Sequence, residues 1–309
     1  MAIESTEKET VSRRNFLVST LQTVSATSLF MLPTGSMAKN QNLPNETITI
    51  RQVMDNILKA IPNAPFKETV DTIKAGNLDE PITGIVTTMF ATIDVIRKAI
   101  ELKANFIIAH EPTFYNHHDD TSWLTNDKVY KFKMDLLSKH KIVVWRFHDY
   151  IHSLKPDGVM MGVLKSLGWE KYYNPNNQRM IILEQSSSLK DIVLLVKEKL
   201  GIAQVRIIGD LAQPCKRIGL MPGAPGGKAH IQTLQREEPD LLICGELQEW
   251  ETSEYIRDAQ AAGFKQSLIV LGHAASEEPG MEWLVSWLKP KVSGVTVTHI
   301  PSQSPFVWM

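Results

Sequence analysis

Cysteine, surplus charge and long apolar runs are all scarce in this chain, and each shortage closes off a class of protein. Cys215 and Cys244 are the two cysteines of the sequence, too few for a disulfide framework. An oxidising compartment would allow one bond between them, but two buried thiols are the expectation. Lys and Arg number 33 against 34 Asp and Glu, a net charge of −1. That balance gives no electrostatic reason to expect nucleic acid or an anionic membrane as partner. The longest apolar segment, Leu17 to Leu32, contains Gln22 and many hydroxyls. It falls short of the ~20 apolar residues that a membrane span needs.

That segment follows Ser12-Arg13-Arg14-Asn15-Phe16-Leu17, a twin-arginine pattern, and precedes small residues Ser36-Met37-Ala38. Together they read as a twin-arginine signal peptide over residues 1–38, cleaved after Ala38. The expectation is a soluble protein exported to the periplasm or secreted, with no membrane contact once the signal is removed. Residues 39–47 are polar and rich in Asn and Pro, a linker. Residues 48–309 remain as an α/β domain.

Within that domain helix and strand patterns alternate. The spacing predicts helices at Val53–Ala60, from Thr92, at Asp127–Lys139, at Gly158–Leu167, from Ser188, after Glu246 to about Ala262, and at Met281–Leu288. Strands are expected at Ile82–Met89, Phe106–Ala109, Ile142–Phe147, Arg179–Leu183, Val205–Gly209, Lys216–Met221, Asp240–Cys244, Ser267–Leu271 and Val295–Ile300. Alternation of this kind argues for a mostly parallel, layered α/β fold. Both halves run strand, helix, strand, which suggests two similar α/β lobes facing a shared metal cleft.

Three strands end in metal-type residues. Phe106–Ala109 runs into His110-Glu111-Pro112, Ile142–Phe147 into His148-Asp149-Tyr150-Ile151-His152, and Ser267–Leu271 into Gly272-His273-Ala274-Ala275-Ser276-Glu277. Ligands of open α/β sheets bind at the carboxyl ends of strands. His148 and His152 are four apart, as are His273 and Glu277, so a helical turn would put each pair on one face. Imidazole with carboxylate suits zinc, manganese or iron rather than calcium. The set His110, Glu111, His148, His152, His273 and Glu277 exceeds what one zinc takes, and the surplus favours two metals about 3.5–4 Å apart.

Other segments invite the same reading and are set aside. His117-His118-Asp119-Asp120 sits in a polar loop and reads as a solvated surface run. His140 and His230 lie on expected helices with nothing around them and read as surface histidines. Pro222-Gly223-Ala224-Pro225-Gly226-Gly227-Lys228 resembles a phosphate loop but lacks its first glycine and the Ser or Thr after the lysine. A glycine-rich turn before a helix can still hold an anion on its backbone N–H groups.

The strand-end motifs resemble those of the Ngg-interacting-factor-three family, known also as dinuclear-metal hexameric proteins or GTP cyclohydrolase I type 2 homologues. The likeness runs from about Val53 to Pro305. The family's His-His-Pro stands here as His110-Glu111-Pro112, and its His-Thr-Asn-Leu-Asp as His148-Asp149-Tyr150-Ile151-His152. Thr-Gly-Glu becomes Cys244-Gly245-Glu246, Gly-His-x-x-Thr-Glu becomes Gly272 to Glu277, and Ile300-Pro301 also fits. The resemblance implies two α/β lobes and a homo-hexamer with its metal sites facing inward. It also implies that one His has become Glu111 and that a metal-bridging Asp has become His152. A neutral histidine offers one lone pair and cannot bridge, so Glu111 and Glu277 become the candidate bridges.

Two functions of different classes follow. One is a dinuclear metal-dependent hydrolase, with Glu111, or His148 if it is not a ligand, as general base. Its small-molecule substrate would be a cyclic amide or purine-like ring, or a phosphate ester; export argues against ring opening of cytoplasmic GTP. The other is a non-catalytic metal-binding scaffold in which the centre stabilises an oligomer.

Overall fold

The computed structural model describes residues 48–307 and 309; the expected signal peptide over 1–38 and linker over 39–47 lie outside the described residues. The chain enters at Thr49, whose side chain accepts from Gln52 N and whose own N–H is met by the Gln52 side chain, a capping box opening α1 (Ile50–Leu58). Then come β1 (Ile73–Ala75), β2 (Ile85–Thr88), α2 (Ile93–Glu101), β3 (Phe106–Ala109), α3 (Lys128–Lys139), β4 (Val143–Arg146), α4 (Asp149–Ser153) and α5 (Gly158–Leu167). The second half holds β5 (Met180–Ser188), α6 (Leu189–Leu200), β6 (Arg206–Ile208), β7 (Pro214–Met221), α7 (Gly227–Glu237), β8 (Leu241–Cys244), α8 (Glu254–Ala261), β9 (Ser267–Val270), α9 (His273–Leu288) and β10 (Val297–His299).

The strands form two five-stranded sheets, β1-β4-β3-β2-β10 and β5-β7-β8-β9-β6. In the first, β10, β2, β3 and β4 run parallel and β1 is an antiparallel edge. In the second, β7, β8 and β9 are parallel between antiparallel edges β5 and β6. Two α/β lobes with mostly parallel sheets are therefore present, as expected.

Strand alternation divides the core. Phe106 and Ile108 of β3 face inward with Trp145, and meet Ile218, Leu220, Ile243 and Ile269 of the other sheet through α5, α6 and α9. Ile107 and Ala109 face outward onto α2 and α3, and Leu242 and Cys244 face outward onto α7 and α8. One apolar core thus runs through both lobes, with a smaller cluster on each outer face. α5 and α9 approach closely at two glycines: a Cβ on Gly162 would collide with the backbone of Pro279 and Gly280, and one on Gly280 would overlap Val159. Among the described residues no helix is long and apolar enough to cross a membrane.

The structure departs from the sequence expectations in several places. The short edge β1 was not expected. The last helix begins at His273, eight residues before Met281, and carries Pro279 within it. His230 is wholly buried, not a surface histidine: its Nδ1 lies 2.9 Å from Thr252 Oγ1, and burial pushes its pKa down to about 4. The glycine-rich turn does meet an anion, but an internal one: Gly227 N, at the start of α7, donates to Glu251 Oε2 at 3.0 Å. Cys215 and Cys244 are free, buried thiols, pushed by burial up to about 11 and about 12.

Candidate metal centre

β3 and β4 pair in register, Ala109 beside Arg146, so His110-Glu111 and His148 leave the first sheet side by side. Asp71, just before β1, fixes the turn after β4. Its two oxygens accept from His148 N and Tyr150 N, both at 2.7 Å, capping α4. That short helix carries His152 one turn beyond His148, which stands at its N-cap. Burial pushes the Asp71 carboxyl up to about 6, against the lowering effect of those N–H donors.

The second lobe brings its contribution on the first turns of α9. Ser276 Oγ accepts from Gly223 N at 2.9 Å and donates to His273 O at 2.7 Å, tying the end of β7 to the helix. His273 and Glu277, four apart, project from one face, and the His273 Nε2–Glu277 Oε2 separation is 3.2 Å. His273 Nε2 also lies 3.3 Å from Glu111 Oε1, and His110 Nε2 lies 3.5 Å from Glu277 Oε2. The His110 ring stacks on His148 at 4.7 Å and meets His152 edge-on at 5.1 Å.

All six residues singled out from the strand ends come together. One ligand atom each from His110, His148 and His152 lie within 4.8 Å of one another, as do those from His110, Glu111 and Glu277. His110 is wholly buried, and Glu277 is 4% and Glu111 7% exposed. Uncompensated ionisable groups are not left in such places without cost.

The rings are also oriented. His148 Nδ1 is 2.9 Å from Asp149 Oδ1, His152 Nδ1 2.9 Å from Asp157 Oδ2, and His273 Nδ1 3.0 Å from Glu246 Oε2. His110 Nδ1 faces Phe147 O at 3.4 Å. Carboxylates and carbonyls only accept, so each Nδ1 carries a proton and Nε2 is the lone-pair nitrogen of a neutral ring; on His273 the Nε2 proton shared with Glu111 and Glu277 is the one a cation would replace. Metal-ligating histidines are held in this way. His110 Nε2 is buried without a hydrogen-bond partner among the described residues. A divalent cation fits this donor set.

Protonation without a cation tells the same story. Burial opposes the charge of Glu111, yet His273, His110 and His148 outweigh it and hold its carboxyl at about 2. Glu277 is lowered as well, burial being overcome by its contacts with His110 and His273. Burial also opposes a charged His273, but Glu111 and Glu277 overcome it and raise the ring to about 10. His148 goes the other way, to about 4, through burial and the neighbouring His110. The two carboxylates hold a positive charge at the centre, the demand that a metal would meet.

The Duf34/NIF3 (NGG1p interacting factor 3) family matches residues 48–305. The chain belongs to this family. Among its relatives, the GTP cyclohydrolase 1 type 2 homolog of Clostridium acetobutylicum is 26% identical over 238 residues, 73% of this chain and 84% of that protein. The homolog of Clostridium perfringens is 26% identical over 235 residues, 72% of this chain and 85% of that protein. Among solved structures, a Bacillus cereus protein related to NIF3 aligns with a TM-score of 0.69 at 14% identity, covering 85% of this chain and 100% of its own. Staphylococcus aureus protein SA1388 aligns at 0.67 and 22% identity with the same coverage. These structures share the two-lobed NIF3 fold.

The sequence reading missed the residues behind the ligands. Asp157 holds His152 while its other oxygen accepts from Val159 N and Met160 N at the start of α5. Glu246, from the Cys244-Gly245-Glu246 motif, orients His273. Arg146, wholly buried on β4, donates to Glu111 Oε2 at 3.2 Å; an arginine inside an apolar strand was the signal. His117, His118 and Asp120 are exposed as expected, but the Asp119 side chain is buried, 3.0 Å from Lys74 Nζ. A groove of about 720 Å³ lies by the amino ends of β8 and β9 and is lined by none of the six candidate ligands.

Proposed function

We propose that this NIF3-family chain is a dinuclear metal-dependent hydrolase, with His110, Glu111, His148, His152, His273 and Glu277 holding two divalent ions drawn from zinc, manganese and iron. The observation that carries this is the set of four histidines with every Nδ1 engaged, so that each ring has its Nε2 for a metal once neutral, beside two buried carboxylates. Six such donors exceed the three or four that a single zinc takes. Bound there, a divalent pair supplies a water acidified to a pKa of about 7 and a Lewis acid for the scissile group.

The chain's own residues do the rest. Asp149, Asp157 and Glu246 fix ring tautomers, and Glu111, or His148 where it does not ligate, takes a proton from the attacking water. The name of the relatives points to a purine-like ring or cyclic amide as substrate, and a phosphate ester suits the same chemistry. Assembly as a homo-oligomer, and export directed by Arg13-Arg14, belong to the same proposal.

The test is metal analysis of the purified mature protein, then an activity screen over cyclic amides, esters and phosphoesters before and after chelation. About two metals per chain with chelator-sensitive turnover is the expected result. Retained metal with no turnover on any class would favour the scaffold reading, and absence of retained metal would defeat both.

A further inference from the structure

Two carboxylates face the centre, and their surroundings differ. Glu277 Oε2 sits between His110 Nε2 at 3.5 Å and His273 Nε2 at 3.2 Å, and among the described residues no Lys or Arg pairs with it. Its other oxygen points at Gly223, where a Cβ would collide with it. Glu111 is divided. Oε1 faces His273 Nε2 at 3.3 Å and His148 Nε2 at 3.7 Å, while Oε2 is held by Arg146 Nη2 at 3.2 Å.

Arg146 has little freedom to let go. Its Nε donates to His110 O at 3.2 Å, its Nη1 donates to His117 O, and Nη1 also lies 3.6 Å from Asp119 Oδ2. Lys74 Nζ is 3.0 Å from the same Asp119 oxygen. Side-chain exposures are 0% for Arg146, 9% for Glu111, 3% for Asp119 and 5% for Lys74. Two cations and two anions are thus buried together and balance. A guanidinium's planar fork keeps such contacts in fixed directions, and removing one member of the set would leave a charge uncompensated.

We infer that Arg146 is a positioning residue that holds Glu111 as a one-oxygen, terminal donor, leaving Glu277 as the one carboxylate placed to serve both metals. The paired glutamate then offers the centre one donor atom and little net charge. That is what a neutral histidine offers, and it explains how Glu111 can stand at this position without adding a second anion to the site. The inference rests on the two-metal reading, and the experiment separates the two.

The mature protein and its E111Q and E277Q variants would be loaded with zinc, desalted and assayed for metal per chain, with no substrate present. Two metals in the parent, one in E111Q and none in E277Q is the expected result. Equal losses in the two variants, or two metals retained by E111Q, would overturn it. One metal in the parent would instead defeat the two-metal reading.

Arg146→Lys then decides the positioning role by itself, through zinc affinity measured in the parent and in the E111Q background. A weakening of about 10–100-fold, the usual size for outer partners of metal ligands, should appear in the parent and vanish in E111Q. Equal weakening in both backgrounds, or none in the parent, would overturn the role. The E111Q and E277Q comparison leaves Arg146 in place and stands if the lysine variant fails to fold.

Discussion

In the first sheet the strands end in side chains, and in the second they end in glycines. β3 and β4 run out into His110-Glu111 and His148, whereas β7, β8 and β9 run out into Gly223, Gly245 and Gly272. A Cβ on Gly223 would strike Glu277 Oε1, and one on Gly245 would strike Ser276 Oγ. Gly272 turns the chain into α9 at φ +95°, where an L side chain is strained. One lobe supplies donors on its strand tips, and the other supplies empty space into which the first turns of a helix bring two more. Similar sheets can therefore carry one centre without either containing a complete ligand set.

The strongest way to break that comparison is to fill the space. Gly223 has φ +73° and no room for a methyl group. Gly223→Ala should cost about 2–4 kcal/mol, combining left-handed backbone strain with overpacking, and should displace Glu277. A urea melt and metal content measured on the same sample check both parts. Unchanged metal content with unchanged stability would mean that the glycine tips are not what admits Glu277.

A second difference lies in how each lobe carries a buried ionisable group that is not itself a candidate ligand. His230 in the second lobe is held neutral, its pKa down from 6.5 to about 4 by burial first and by Arg179 next. The unfolded chain binds the extra proton in that window, so stability falls as pH drops from about 6.5 to 4, by on the order of 3 kcal/mol. Asp71 in the first lobe has the opposite sign. Its folded pKa of about 6 exceeds 3.8, so its contribution is full below 3.8 and is lost as pH rises through 6. H230Q should flatten the acid limb of a stability–pH curve, while D71N should flatten the rise in cost between pH 3.8 and 6. Melting midpoints across pH 4–7 for the parent and both variants would show it.

How far the molecule was legible follows the same divide. α5 is bounded at Gly158 and Leu167 as expected, and Thr92 and Ser188 each accept the N–H that their sequence position promised, while Asp127, expected as the first helical residue, stands one step earlier as the N-cap. The six strand-end candidates converge because period and spacing record which residues leave a strand together. β1 was missed because three residues with one buried side chain leave no pattern. The first turns of α9 were missed because Gly272, Pro279 and Gly280 read as breaks, whereas the helix tolerates the proline and uses Gly280 to approach α5. His230 shares a helix face with Gly227 and Leu234, both buried, so its burial was readable from spacing and was overlooked. The Asp157–His152 pair lies across separate elements and leaves little trace in sequence, and an arginine in an apolar strand marks Arg146 without naming Glu111 as its partner.

The smallest expected effect tests whether stability and the centre can be separated at all. Each lobe has a helix capped by a hydroxyl: Thr92 Oγ1 accepts from Val95 N at 3.1 Å, and Ser188 Oγ accepts from Asp191 N at 3.1 Å while donating to Asp191 Oδ2. Losing such a cap costs about 1 kcal/mol. α2 covers the outer face of the first sheet, and α6 packs into the core between the sheets. Neither helix carries a candidate ligand. T92A and S188A should each lower stability by that amount and leave metal content unchanged. If S188A alone sheds metal, then the inner core couples α6 to the position of α9, and the second lobe supplies more than space. If both variants keep their metal at reduced stability, the centre is set locally, by the strand tips and the glycines that face them.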